Sequence, residues 1–365
     1  MKIILKRALP QDLRSSVKTY LNRINFKIAK CCSKSAFLSS AYYFLFNKSF
    51  RRENQSVLNG RLQYESAIQD SNKSNVLLRR NIHRIEKGLI MRPRRSVFGL
   101  GFIEETVHAY VKEVEVNKVS HQELKWATDV LSEYFETIDI GTSKLVDELR
   151  RKYEKAIKDT VISFEHDIYQ PNKGSYSPYF REDNETSGVS YNQLLMLFKQ
   201  RRSVRWFQQT PVPEEIINKA IRAASLAPSA CNRQPFKFYT TTDKKVAKEV
   251  GAIPMGTAGF SSNFQSVIVV TGDLSCYPYE RDRHVIYIDA SLASMQLVLA
   301  LETMEVSSCI VNWPDIEHLE QKMEDRLGLS KHIRPIMLIA VGYADKSGKI
   351  PFSQKKGIDL LKQDI

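Results

Sequence analysis

The chain has 365 residues, 42% hydrophobic and 26% charged, enough for roughly two packed domains and incompatible with wholesale disorder or a low-complexity fibre. Its formal charge of +13 sits at one end: residues 1–100 hold 21 Lys/Arg and 5 Asp/Glu, while the other 265 hold 33 and 36. A nucleic-acid signature for the whole chain is excluded by that asymmetry, and five cysteines without a C-x-x-C pair exclude a disulfide scaffold, a zinc ribbon or a thioredoxin-like motif and suit a reducing cytoplasm.

In chain order, residues 1–60 form a basic amphipathic segment. Lys6 and Arg7 cut the first apolar run too early for a signal-peptide core. The longest apolar stretch is read as Ala36–Phe46, well short of the roughly 20 residues that span a bilayer, so a transmembrane protein is not expected. Lys27, Lys30, Lys34, Lys48, Arg51 and Arg52 bracket it. Two readings stand: a segment lying peripherally on an anionic inner-membrane surface, or a helix pair packed on the rest of the protein. Nucleic acid is not an expected partner, because no aromatic-and-glycine RNA motif accompanies the charge.

Residues 61–169 read as helical. Leu77, Leu78, Ile82, Ile85 and Leu89 recur at helical spacing, Gly88 lies inside the pattern and Pro93 ends it. Residues 103–118, 122–137 and 145–164 continue as helices. Residues 170–190, polar with Pro and Gly, read as a linker. Beyond it, residues 191–365 alternate helix and strand. Helices are expected over 191–200, 213–226 and 287–304, and strands over 236–242, 266–272, 307–312 and 335–343. The helix 287–304 is apolar nearly all round, with Asp289 and Ser291 as exceptions, which predicts a core or subunit-interface element.

Two motifs in this half carry chemistry. Arg201-Arg202-Ser203-Val204-Arg205 offers three guanidinium groups and a hydroxyl, a strong anion site whose bland alternative is a solvated charged patch. If the segment is extended, Arg201, Ser203 and Arg205 point the same way. Ala227-Pro228-Ser229-Ala230-Cys231-Asn232-Arg233-Gln234-Pro235 is a donor-rich loop between two prolines, suited to the edge of a flat heteroaromatic ring or simply to an ordinary helix-to-strand connection.

Together, in this order and some 25 residues apart, these motifs resemble the FMN-dependent nitroreductase family, with its Arg-x-Ser-x-Arg/Lys segment and Pro-Ser-x-x-Asn-x-Gln-Pro loop. The likeness covers roughly residues 195–355. It implies an α+β fold, a mixed sheet flanked by helices and preceded here by an all-helical region. It also implies a homodimer with FMN at the interface, and hydride passing from NAD(P)H through the flavin to a small-molecule acceptor. No catalytic side chain and no metal are then expected. Arg201, Arg202, Ser203 and Arg205 would hold the phosphate, ribityl and pyrimidine end, and Pro228, Ser229, Ala230, Asn232 and Gln234 would come from the partner subunit. Two departures stand out. Where the family often has an acidic residue and a glycine, this chain has Asn312-Trp313, which would still contact the cofactor, with Trp313 stacking on or narrowing the flavin pocket or else simply core, and Glu305 replaces a customary glycine. Lys355 or Lys356, in Pro351-Phe352-Ser353-Gln354-Lys355-Lys356, would serve as the late phosphate-binding base. Segment 78–99, with His83 and Glu86 on one helix face, resembles the extension of nitroreductase-like proteins associated with bacterial surface-polysaccharide biosynthesis. His83 and Glu86 read as an acid–base pair or as an ordinary polar pair. The alternative function is a non-catalytic or atypical flavin-using member acting as a membrane-associated assembly or regulatory module.

Overall fold

The computed structural model describes residues 11–69, 74–116, 119–158, 175–183 and 185–365. The expected helix beyond Lys158, and residues 170–174 and 184 of the expected linker, lie outside the described residues. The described residues form two compact units, one of residues 11–55 with 315–317 and one from 56–314 with 318–365.

The smaller unit holds α1 (Gln11–Cys32) and α2 (Ala36–Leu45). Ser35 caps α2, and the Tyr42 hydroxyl donates to Asn25 Oδ1 at 2.9 Å, pinning one helix to the other. Helix α3 (Arg51–Gln69) follows.

The larger unit has two apolar cores. The first is built by α4 (Val76–Leu89), α5 (Ile103–Val116), α6 (His121–Thr137) and α7 (Lys144–Lys158). Asn75 caps α4 by accepting from Leu78 N at 2.9 Å. Leu78, Ile82, Ile85 and Leu89 then fall on one face, packed against Tyr110, Leu131 and Tyr134. Gly88 has a steric purpose: a Cβ there would lie 2.2 Å from the Phe98 ring. That ring contacts Tyr134 edge-on at 5.1 Å between centroids and closes the bundle.

The second core lies beneath a sheet. In chain order come α8 (Tyr191–Gln200), α9 (Glu214–Ser225), β1 (Phe236–Thr241), α10 (Lys244–Gly251), β2 (Ser266–Asp273), α11 (Val285–Thr303), β3 (Ser307–Asn312), α12 (Glu317–Leu327), β4 (Ile333–Gly342) and α13 (Ile358–Leu361). The strands pair in the order β1-β2-β4-β3, all antiparallel. The parallel component of the expected mixed sheet is confined to one bridge, Ser203 to Ser308. Helix α11 has the length and apolarity to cross a membrane, but Ile286, Ala290, Ala293, Leu297 and Leu301 bury it in the core with α9 and β2. An α+β fold with a helical N-terminal region results.

Glu305, in the turn between α11 and β3, adopts φ 60°, the left-handed conformation that favours glycine. Its side chain is exposed. Glu305→Gly is therefore expected to stabilise the protein by about 1 kcal/mol through relief of this strain, read as a higher urea midpoint at unchanged slope.

Candidate active site

The capping box of Ser190 and Gln193 starts α8, and the helix ends at Arg201, whose backbone turns extended. Residues 201–208 then run beside the sheet edge. Val204 N donates to Ser308 O at 3.0 Å and Gln208 N to Tyr343 O at 2.8 Å. Gly342 permits this approach, since a Cβ would meet the Phe207 ring at 2.7 Å. The expectation of an extended segment is thus met by the backbone. Arg201, Ser203 and Arg205 are half-buried there. Arg205 lies 5.6 Å from the Phe260 ring centroid, and Arg201 Nε is buried without a hydrogen-bond partner. Arg202 goes elsewhere: it donates to the carbonyls of Pro351 (2.9 Å) and Phe352. It thereby ties down the segment that carries Lys355, itself exposed. Asn312 and Trp313 stand at the far end of β3 from Ser308, about 13 Å away at strand spacing. Asn312 is exposed; Trp313 is buried and its indole Nε1 has no partner.

The loop 227–235 is held from three sides. Internally, Gln234 N donates to Ser229 Oγ at 3.0 Å and Asn232 N to Ser229 O at 3.0 Å. Cys231, Asn232 and Gln234 all take positive φ (52°, 50° and 49°), so this backbone depends on outside support. From below, buried Asp289 on α11 accepts from Ala230 N at 3.0 Å and from the Tyr277 hydroxyl at 3.2 Å. From the helical bundle, Arg79 on α4 donates to Asn232 O at 3.1 Å and to Gln234 Oε1 at 3.2 Å. Glu123 on α6 orients Arg79 through a 2.9 Å ion pair. One helical turn along, His83 Nδ1 pairs with Glu86 Oε2 at 2.9 Å, and Trp126 Nε1 donates to Glu86 Oε1 at 2.9 Å. The His83–Glu86 pair exists as the spacing suggests, with its carboxylate fixed by the indole.

Asp289 and Arg79 are the residues that reading the sequence missed as loop supports. Asp289 was visible only as a polar exception in an apolar helix, and Arg79 as one of several arginines. Burial pushes the Asp289 carboxyl above its usual range, against the pull of the Ala230 and Tyr277 donors. A raised folded-state value means that ionisation costs stability, so this group's contribution falls as pH rises from about 4 through the folded value. Both donors meet one oxygen, which an amide can replace. Asp289→Asn is expected to match or exceed the parent in urea stability at pH 7, with a smaller advantage at pH 4. Asp289→Leu should lose stability at both, because it leaves the Ala230 N–H unpaired.

The two motifs do not meet within one chain. The loop enters the sheet where Phe236 pairs with Gly272 and Gly272 with Arg334, whereas Ser203 sits where Ser308 pairs with Val341. These are diagonal corners of the sheet, roughly 30 Å apart at ordinary strand dimensions.

The model of the nitroreductase family matches residues 198–262 and 256–343. The "Putative NADH dehydrogenase/NAD(P)H nitroreductase" of Archaeoglobus fulgidus is 30% identical over 157 residues, 41% of this chain and 85% of that protein. The "FMN reductase (NAD(P)H)" of Bacillus subtilis is 23% identical over 192 residues, 47% of this chain and 76% of that protein. The solved "Putative NADH dehydrogenase/NAD(P)H nitroreductase" of Parabacteroides distasonis is 30% identical, covering 47% of this chain and 98% of that one with a TM-score of 0.42. By its C-terminal half, the chain belongs to the nitroreductase family.

Proposed function

We propose that the chain is an FMN-dependent NAD(P)H:acceptor oxidoreductase that works as a homodimer. The observation that carries this reading is the donor set along β3, with Arg201 Nε at one end and Trp313 Nε1 at the other, both buried and both without a partner. Guanidinium groups, a hydroxyl and an indole N–H spaced along a strand suit an elongated ligand with a phosphate and a flat ring rich in acceptors. FMN, when bound, supplies two-electron chemistry between NAD(P)H and the acceptor.

The protein's own contribution is position, charge and dryness. Arg201 and Arg205 neutralise anionic charge, Ser203 offers a hydroxyl, and buried Trp313 excludes water. Ser229, Ala230 and Asn232 present the loop held by Asp289 and Arg79. Since the two motifs occupy diagonal corners, a complete site draws one motif from each of two copies. Exposed Ile288, Leu292 and Met295 form an apolar stripe on the otherwise buried α11, the face expected at such a two-fold contact. The acceptor is assigned to surface-polysaccharide metabolism on the 78–99 segment alone, and a screen of sugar-nucleotide and quinone acceptors tests that part.

The primary test is the visible spectrum of the purified protein, before and after anaerobic NAD(P)H. A flavin spectrum that bleaches is expected. A colourless protein that also takes up no added FMN would overturn the reading.

A further inference from the structure

Helix α2 inverts the usual pattern of a surface helix. Its inner side holds Tyr42 and half-buries Ser39. Phe37 and Phe44, seven residues apart, share the opposite face, 79% and 74% exposed, and Leu45 on its flank is 66% exposed. Phe46 and Phe50 extend this apolar surface past the helix end. An apolar face of this kind on a soluble helix marks an interaction site.

The surrounding charge selects the partner. Residues 11–52 contain nine Lys/Arg and one acidic residue, Asp12. Lys18, Arg23, Lys27 and Lys30 on α1, Lys34 in the turn, and Lys48 and Arg51 beyond α2 are all exposed. A helix of 10 residues is about 15 Å long, half the hydrocarbon thickness, so α2 lies in an interface and does not cross it. Exposed aromatics on one helix, ringed by cations almost unopposed by acids, match an anionic headgroup layer on both counts.

We propose that residues 11–52 dock this protein on an anionic lipid bilayer, with the Phe37/Phe44 face of α2 buried in the headgroup layer and the lysines of α1 over the lipid phosphates. The proposal is independent of the flavin reading.

The full-length protein is co-sedimented with vesicles of phosphatidylcholine, alone or with 30% phosphatidylglycerol. Binding is expected only to the anionic vesicles, and weakened at 0.5 M salt. Lys27→Gln/Lys30→Gln/Lys34→Gln should lower partitioning about a hundredfold, at about fivefold per cation. Phe37→Ser/Phe44→Ser should lower it by roughly two orders of magnitude with an unchanged circular dichroism spectrum, since both rings are exposed. Equal binding to neutral vesicles, no binding to either, or full binding by both variants would overturn the proposal. So would sedimentation showing that the apolar face joins two copies, or a fall in melting temperature in Phe37→Ser/Phe44→Ser without vesicle binding, which would mean that the face packs on protein.

Discussion

Replacing Arg201 and Arg205 together with Ala is expected to abolish retention of FMN through purification. Each guanidinium would lose a charge-assisted contact of about 1.5–3 kcal/mol, so the pair weakens binding by roughly 10²–10⁴-fold. The fold should survive, because segment 201–208 is anchored by backbone bonds, Val204 N to Ser308 O and Gln208 N to Tyr343 O. Arg202→Ala is the discriminating control. Its side chain holds the carbonyls of Pro351 and Phe352, so its loss should loosen the C-terminal segment and cost much less flavin affinity. Flavin-fluorescence titration measures both variants against the parent. If the double variant stays fully loaded, the anion-binding end of the site is not where segment 201–205 places it. If Arg202→Ala is as damaging as the pair, the phosphate is held through the C-terminal segment instead.

The parts of the fold that were legible in the sequence are those whose signal is local. The β-branched run Ser266–Gly272 is β2, the apolar run 287–304 is most of α11, and the helical spacing of Leu78, Ile82 and Ile85 is the buried face of α4. Helix α12 escaped because it is rich in acids, which reads as solvent-facing. In the structure Glu320 is buried and paired with buried Arg334 at 2.6 Å, a partner 14 residues away that periodicity cannot reveal. The site divides in the same way. The two motifs announce themselves by composition. The supports of the loop do not, because Asp289 reaches Ala230 across 59 residues and Arg79 reaches Asn232 across 153. For the same reason the polar stretch around 175–190 gives no sign that α4–α7 and the sheet belong to one compact unit.

The bond from Arg79 to the loop makes the helical bundle part of the candidate site, and it predicts a separable pair of defects. Arg79→Ala leaves Glu123, whose side chain is 3% exposed, without its cation and held only by the Ser74 hydroxyl at 2.7 Å and Asn75 N at 2.8 Å. An uncompensated buried carboxylate of this kind costs about 3–5 kcal/mol. Adding Glu123→Gln removes the charge and should recover a good part of that stability, a coupling that a double-mutant cycle in urea would measure. The loop should not recover. Asn232 O and Gln234 Oε1 lose their donor in either variant, so amide exchange across 229–235 should rise in Arg79→Ala and remain raised in the double variant. Arg79→Lys completes the argument. One ammonium group can keep the Glu123 pair but cannot also reach both loop acceptors in a fixed fork, so stability should hold while loop protection falls. If exchange in the loop instead tracks global stability through all three variants, Arg79 serves only the bundle. If the two part company as expected, the helices that precede the nitroreductase domain set the conformation of its loop.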